Sequence, residues 1–124
     1  MPRLPLAFFT AAALCGLGGM IMGTVMGATG DFTQSPVHAH LNLIGWASLA
    51  IMGTFYALAG GGGRLGWLNF LLMVLGVLIL LPALVISLAN GHAPNVGLMI
   101  GPFVVLAGML AFIAAVLMRW RAAA

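Results

Sequence analysis

Hydrophobic and polar positions alternate along this chain on the scale of whole helices. Four long apolar runs are separated by three short polar breaks. The first run covers about Leu6 to Ala28 and stops at "TGDFTQSP" (Thr29 to Pro36), a stretch of turn-forming residues. The second covers about Val37 to Ala59 and stops at "GGGGR" (Gly60 to Arg64). The third covers about Leu65 to Leu88 and contains Pro82, which is expected to kink it. "ANGHAPN" (Ala89 to Asn95) supplies stop signals, with Pro94 restarting the chain into a fourth run over about Val96 to Trp120. Each run has about twenty or more mostly apolar residues, the length that crosses a hydrocarbon core. Backbone groups in lipid must be satisfied inside their own segment, which favours helices. The pattern therefore predicts an all-α protein, a bundle of four transmembrane helices forming one membrane domain over residues 1–124.

Composition strengthens that reading. Of 124 residues, 64% are hydrophobic and 4% charged. A soluble globule of this size leaves too much surface exposed to hide so much apolar area, so the lipid bilayer is the main partner. The first run is longer than the apolar core of a signal peptide and is read as a retained helix. Cys15 lies inside that run and, as the single cysteine, forms no disulfide within the chain.

Charge sets the orientation. The basic residues are Arg3, Arg64, Arg119 and Arg121, with no lysine, and Asp31 is the one acid. These arginines are scattered and have no aromatic–basic cluster, so no nucleic-acid partner is expected. All four fall on one side of an even-numbered bundle. The excess of positive charge on cytoplasmic loops places both termini and the glycine-rich loop in the cytoplasm. The first and third breaks then face outward, to the periplasm if the membrane is a bacterial inner membrane. His38, His40 and His92 all lie near that outer face.

Several chemistries drop out. No acid lies within any span, which argues against a small proton-coupled exporter that needs a buried carboxylate. No serine, histidine and acid set is available for hydrolysis, and no glycine-rich phosphate loop precedes a lysine. Met20, Met22 and Met26 suggest soft copper ligands, but methionine in apolar helices is more often filler. Gly19, Gly23 and Gly27, spaced by four, form a ridge on the first helix. Such a ridge permits close helix packing, the favoured reading, or offers a flat wall to a planar cofactor.

The opening of the second helix carries the chemistry. Ionisable residues are costly in a bilayer and mark function there. His38 and His40, beside Asn42 and Trp46, exceed what interfacial polarity requires. Successive helical residues turn by about 100°, so the two histidines point about 200° apart. They do not chelate one metal from the same helix; as ligands, they serve two sites on opposite faces. A neutral imidazole facing an apolar slot is what a haem iron needs.

"VHAHLNLIGWASLAIMGTFYAL" (Val37 to Leu58) resembles a metal-bearing helix of the catalytic subunit of haem–copper oxidases and nitric oxide reductases. One helix of that family opens with His-x-His, followed by a glycine- and aromatic-rich tail similar to Ile51 to Tyr56. Its first histidine binds the high-spin haem and its second the low-spin haem, and His38 and His40 match those positions. A second family helix has one histidine followed by an Asn-like residue and Trp, similar to His40, Asn42 and Trp46; that histidine also binds the low-spin haem. The family's helices form three pseudo-equivalent sets of four around an axis, and this chain is one set long.

The resemblance implies a b-type haem protein resembling a single repeat, acting in electron transfer, gas binding or haem handling with a redox partner. It implies self-association, with a homotrimer preferred, in which His40 of one chain and His38 of the next complete a haem site. His38 and His40 are then the metal ligands, with Gly19, Gly23, Asn42, Trp46 and His92 around the cofactor. The family's copper-site pattern is incomplete here. Tyr56 lies too far along the helix and no adjacent histidine pair exists, so oxygen or nitric oxide reduction does not follow. The family's outer-face arginines for haem propionates also have no equivalent; Asn90, Asn95, His92 or helix N-termini would replace them. His92 remains a third ligand candidate, a propionate partner or a plain loop residue. The alternative class is a non-haem membrane module, either a copper-handling protein or an accessory subunit of a respiratory complex.

Overall fold

The computed structural model describes residues 2–123, and within them the chain is helical with no strand. Four helices are long and apolar enough to cross a membrane: α1 (Arg3–Thr29), α2 (Ser35–Ala59), α3 (Gly63–Ala89) and α4 (Val96–Ala122). Most begin two or three residues earlier than the apolar runs suggest. Helical hydrogen bonding continues into the polar ends, where water as well as backbone can satisfy the last groups.

The ends follow capping chemistry. Gly30 stops α1 in a left-handed conformation (φ 70°) and returns its N–H to the Met26 carbonyl at 2.9 Å. Asn95 opens α4, its side chain accepting from the Leu98 N–H at 3.0 Å. Asn95 Nδ2 also donates to the Ala83 carbonyl at 2.9 Å, pinning the α4 start to α3. Between α2 and α3, Gly60, Gly61 and Gly62 all have positive φ (71°, 76° and 112°), a reversal that side-chain-bearing residues rarely adopt. α3 runs unbroken through Pro82.

α2 is not one regular helix. An α-helical turn and a half (Ser35–His40) passes into a π-helical stretch (Leu41–Ser48) and then back into α-helix (Leu49–Ala59). Within the wide stretch the Ser48 hydroxyl donates to the Leu43 carbonyl, five residues back, at 2.7 Å.

The helices pack as two antiparallel pairs, α1 with α2 and α3 with α4. The buried core lies toward the end that carries the arginines. Leu4 and Phe8 of α1, Met52 and Tyr56 of α2, Met73 of α3 and Ala115 of α4 meet there. Phe8 stacks on Tyr56 (ring centroids 5.4 Å apart), and Phe55 meets Phe112 edge to face (5.3 Å). Asn69 of α3, fully buried, accepts from the Tyr56 hydroxyl (3.0 Å) and donates to the Gly108 carbonyl (2.8 Å). One carboxamide thus ties α2, α3 and α4, and every strong polar group in this core has a partner. The opposite end, with the histidines and Asp31, lacks such an aromatic lock.

Candidate functional site at the histidine end of α2

Gln34, His38, Asn42 and Trp46 recur every four residues and carry a polar line down α2. In an α-helix, residues four apart drift slightly past one full turn. In a π-helix a turn takes more than four residues, so the same spacing drifts the other way. The two segments of α2 offset each other, and His38, Asn42 and Trp46 stay on one face. That face meets α1 at its glycines. A Cβ on Gly23 would lie 3.0 Å from His38 Cε1, and one on Gly16 would lie 2.9 Å from Trp46 Cε3. Between them Asn42 Oδ1 packs directly against Gly19.

The glycine ridge is therefore Gly16, Gly19 and Gly23. Gly27, the third member suggested by regular spacing, has nothing within 4 Å of where its Cβ would be. Gly16 stands three residues before Gly19, the other helical spacing that keeps one face, and that was the available signal. In this structure the ridge is filled by side chains from α2.

His38 is half-buried against α1. Its Nε2 lies 3.2 Å from Asn42 Nδ2. With the amide donating, Nε2 accepts and the ring proton sits on Nδ1. That Nδ1 is buried and has no hydrogen-bond partner among the described residues. Gln34 caps the same turn, its Nε2 donating to the Val85 carbonyl of α3 at 3.3 Å.

His40 differs in burial and in partner. It is exposed, and its Nδ1 lies 2.7 Å from the Pro36 carbonyl. A carbonyl only accepts, so Nδ1 carries a proton and donates it there, and a neutral ring would have its lone pair on Nε2. Below it on α2 the surface is apolar, with Leu43 and Ile51 each 64% exposed. His38 and His40 thus serve opposite sides of α2, and one chain does not bring them together.

His92 sits apart in the loop between α3 and α4, exposed and in a left-handed conformation (φ 66°), its N–H donating to the Ser87 carbonyl at 2.8 Å. Among the described residues, no three histidine, cysteine or acidic side chains cluster closely enough to hold a metal ion by themselves. The three methionines of α1 also scatter: Met26 is buried, Met22 half-buried and Met20 72% exposed.

Beside the polar line a groove of about 500 Å³ opens between α1 and α2, lined by Ala13, Gly16, Leu17, Met20, Asn42 and Trp46. Asp31, in the turn above, accepts from the Thr33 hydroxyl at 2.6 Å and from the Thr33 N–H at 3.0 Å. These bonds favour the charged form and hold its carboxyl below the usual carboxylate range.

A haem ligand needs one ring nitrogen held by a second partner and the other left open, and His40 fits: the Pro36 carbonyl holds Nδ1, and Nε2 has no hydrogen-bond partner among the described residues. An iron in haem takes its equatorial ligands from the porphyrin, so the lack of a three-residue metal cluster does not conflict with that fit. Compared with protein-family models, with curated proteins and with solved structures, the chain gives no match.

Proposed function

We propose that this chain is an integral membrane protein that binds b-type haem at the outer end of α2, with His40 as an axial ligand. The observation that carries the reading is the His40 side chain itself. It is an exposed imidazole on an apolar helix, held through Nδ1 by the Pro36 carbonyl, so that Nε2 is the nitrogen left for a ligand. Bound haem supplies a one-electron centre and a gas-binding iron, suiting electron transfer, gas binding or haem handling. The chain's own contribution is to fix the tautomer of His40 and to provide the apolar α2 face beneath it.

His40 looks outward, so a second axial ligand comes from a neighbouring copy. In a homotrimer each chain offers His40 across one interface and His38 across the next. His38 would take that role by leaving its place against Gly23 and giving up its Asn42 contact. The positive-inside bias puts the arginines in the cytoplasm and the haem on the periplasmic side of a bacterial inner membrane.

A visible spectrum of the purified protein tests the reading. A Soret band with split visible bands on reduction is expected, and His40→Ala abolishes it. His38→Ala leaves a five-coordinate haem, and mixing the two variants under subunit exchange restores some six-coordinate sites. A preparation that stays colourless after haem addition overturns the haem reading. It would favour the second class, a non-haem accessory module. That class draws on the filling of the glycine ridge by His38, Asn42 and Trp46. A reporter fused after Ala124 that reads periplasmic overturns the orientation.

A further inference from the structure

The end of the bundle opposite the histidines carries all the basic side chains. Arg3 begins α1, Arg64 lies in the first turn of α3, and Arg119 and Arg121 lie in the last turn of α4. The loop between α2 and α3 joins them in space: Gly62 packs on Leu4, and the Arg119 guanidinium donates to the Gly60 carbonyl. The one acidic side chain, Asp31, stands a full helix away, about 40 Å for 27 residues. Four positive charges at this end therefore have no side-chain counter-ion. A cavity of about 370 Å³ opens at this end between α2, α3 and α4. Its walls are apolar, formed by Leu65, Ala115, Met118, Ala122 and the Tyr56 ring, and Arg119 is its one charged lining side chain. The Gly60 carbonyl takes one of the five guanidinium N–H donors, leaving the others for an anion.

We propose that this cavity binds the phosphate group of an anionic phospholipid. Arg119 contacts the phosphodiester, and Leu65 and Met118 line the start of an acyl chain. The chemistry fits on each side. The cavity lies at the end of a 27-residue helix, which at about 40 Å outreaches a hydrocarbon core of about 30 Å, and it combines a planar, permanently charged donor with apolar walls. The site is independent of the haem reading and lies at the other membrane face.

Native mass spectrometry from a neutral detergent tests it, comparing phosphatidylglycerol with phosphatidylcholine of the same acyl chains. The intact chain should retain the anionic lipid about five-fold better, the effect of about one arginine at a membrane surface. Arg119→Gln should erase that preference. Ala122→Trp, which fills the cavity and keeps the guanidinium, should erase it too, and decides the matter if Arg119→Gln does not fold. Arg121→Gln, outside the cavity lining, should leave it. Equal retention of both lipids overturns the proposal, as does an unchanged preference in Ala122→Trp. Equal loss in Arg119→Gln and Arg121→Gln reduces the effect to diffuse charge and also overturns it. Displacement of the lipid by millimolar inorganic phosphate assigns the site to free phosphate and overturns the lipid assignment.

Discussion

The α1/α2 seam and the α3/α4 seam are both built on glycine, and glycine does different work in each. Between α3 and α4 the missing Cβ lets two backbones touch. A Cβ on Gly101 would lie 2.9 Å from Leu80 Cα, and one on Gly76 would lie 3.0 Å from the Val105 nitrogen. Gly108 likewise faces the Met73 nitrogen at 3.1 Å. Between α1 and α2 the space left by Gly16, Gly19 and Gly23 is filled by side chains: Trp46, Asn42 and His38. The first seam follows the small-residue packing rule for helices in lipid. The second uses the same residue to make room for polar groups. A glycine ridge in a sequence shows that something approaches closely, and the identity of what approaches separates a structural seam from a site.

The sharpest test sets one glycine from each seam against the other. Gly101→Leu should cost about 3 kcal/mol or more, because rigid backbone must move apart; loss of the monodisperse protein or of its Tm reads this out. Gly23→Leu should cost less, about 1 kcal/mol, because the displaced group is the flexible end of His38. Its effect should fall instead on any pigment, by turning His38 out of place. A larger stability loss at Gly23 than at Gly101 would break the comparison.

Next in size is Asn69→Leu. It strands the Tyr56 hydroxyl and the Gly108 carbonyl inside the core and should cost about 2 kcal/mol. Thermal unfolding of the variant beside Asn42→Leu sharpens the contrast, since Asn42 serves one partly buried histidine and should cost about 1 kcal/mol.

The smallest effect concerns Asp31. Its folded carboxyl titrates below the usual range because Thr33 bonds the charged form. A lowered folded value means that its contribution is present above the ordinary carboxylate range and is lost as pH falls through the folded value. Tm measured against pH should therefore decline slightly on the acid side, and Asp31→Asn should flatten that decline. An unchanged slope would remove the Thr33 contact as its cause.

Much of the bundle was legible because the solvent term is so large. Four apolar runs of sufficient length admit few structures other than four helices, and Gly30 and Asn95 mark ends by their own chemistry. The divergence of His38 and His40 also followed from helical spacing alone. The π stretch did not. "LNLIGWAS" holds weak helix formers in Asn42 and Gly45 but no signal for wide turns as such, and those turns coincide with close packing of Gly45 on Cys15, a tertiary relation. Asn69 was passed over for a similar reason. A lone asparagine in an apolar run gains meaning from the Tyr56 hydroxyl 13 residues earlier and the Gly108 carbonyl 39 residues later. The ridge was placed one step too far along α1, because a regular spacing of four selected Gly27 over Gly16.

A π stretch holds one residue more than an α-helix of the same rise. Deleting a single residue between Leu41 and Ser48 would let α2 close into regular helix without shortening its span. Leu49 to Ala59 would keep their places in the aromatic core, and the segment before the deletion would stay close to its own facing, because the wide turns already carry the surplus residue. His38 would stay against α1 and His40 on the exposed side, although one codon had been lost. In most transmembrane helices such a lesion scrambles the buried face. Here the surplus residue works as slack, so evolution can remove one position from α2 without turning the histidines or disturbing the rest of the bundle.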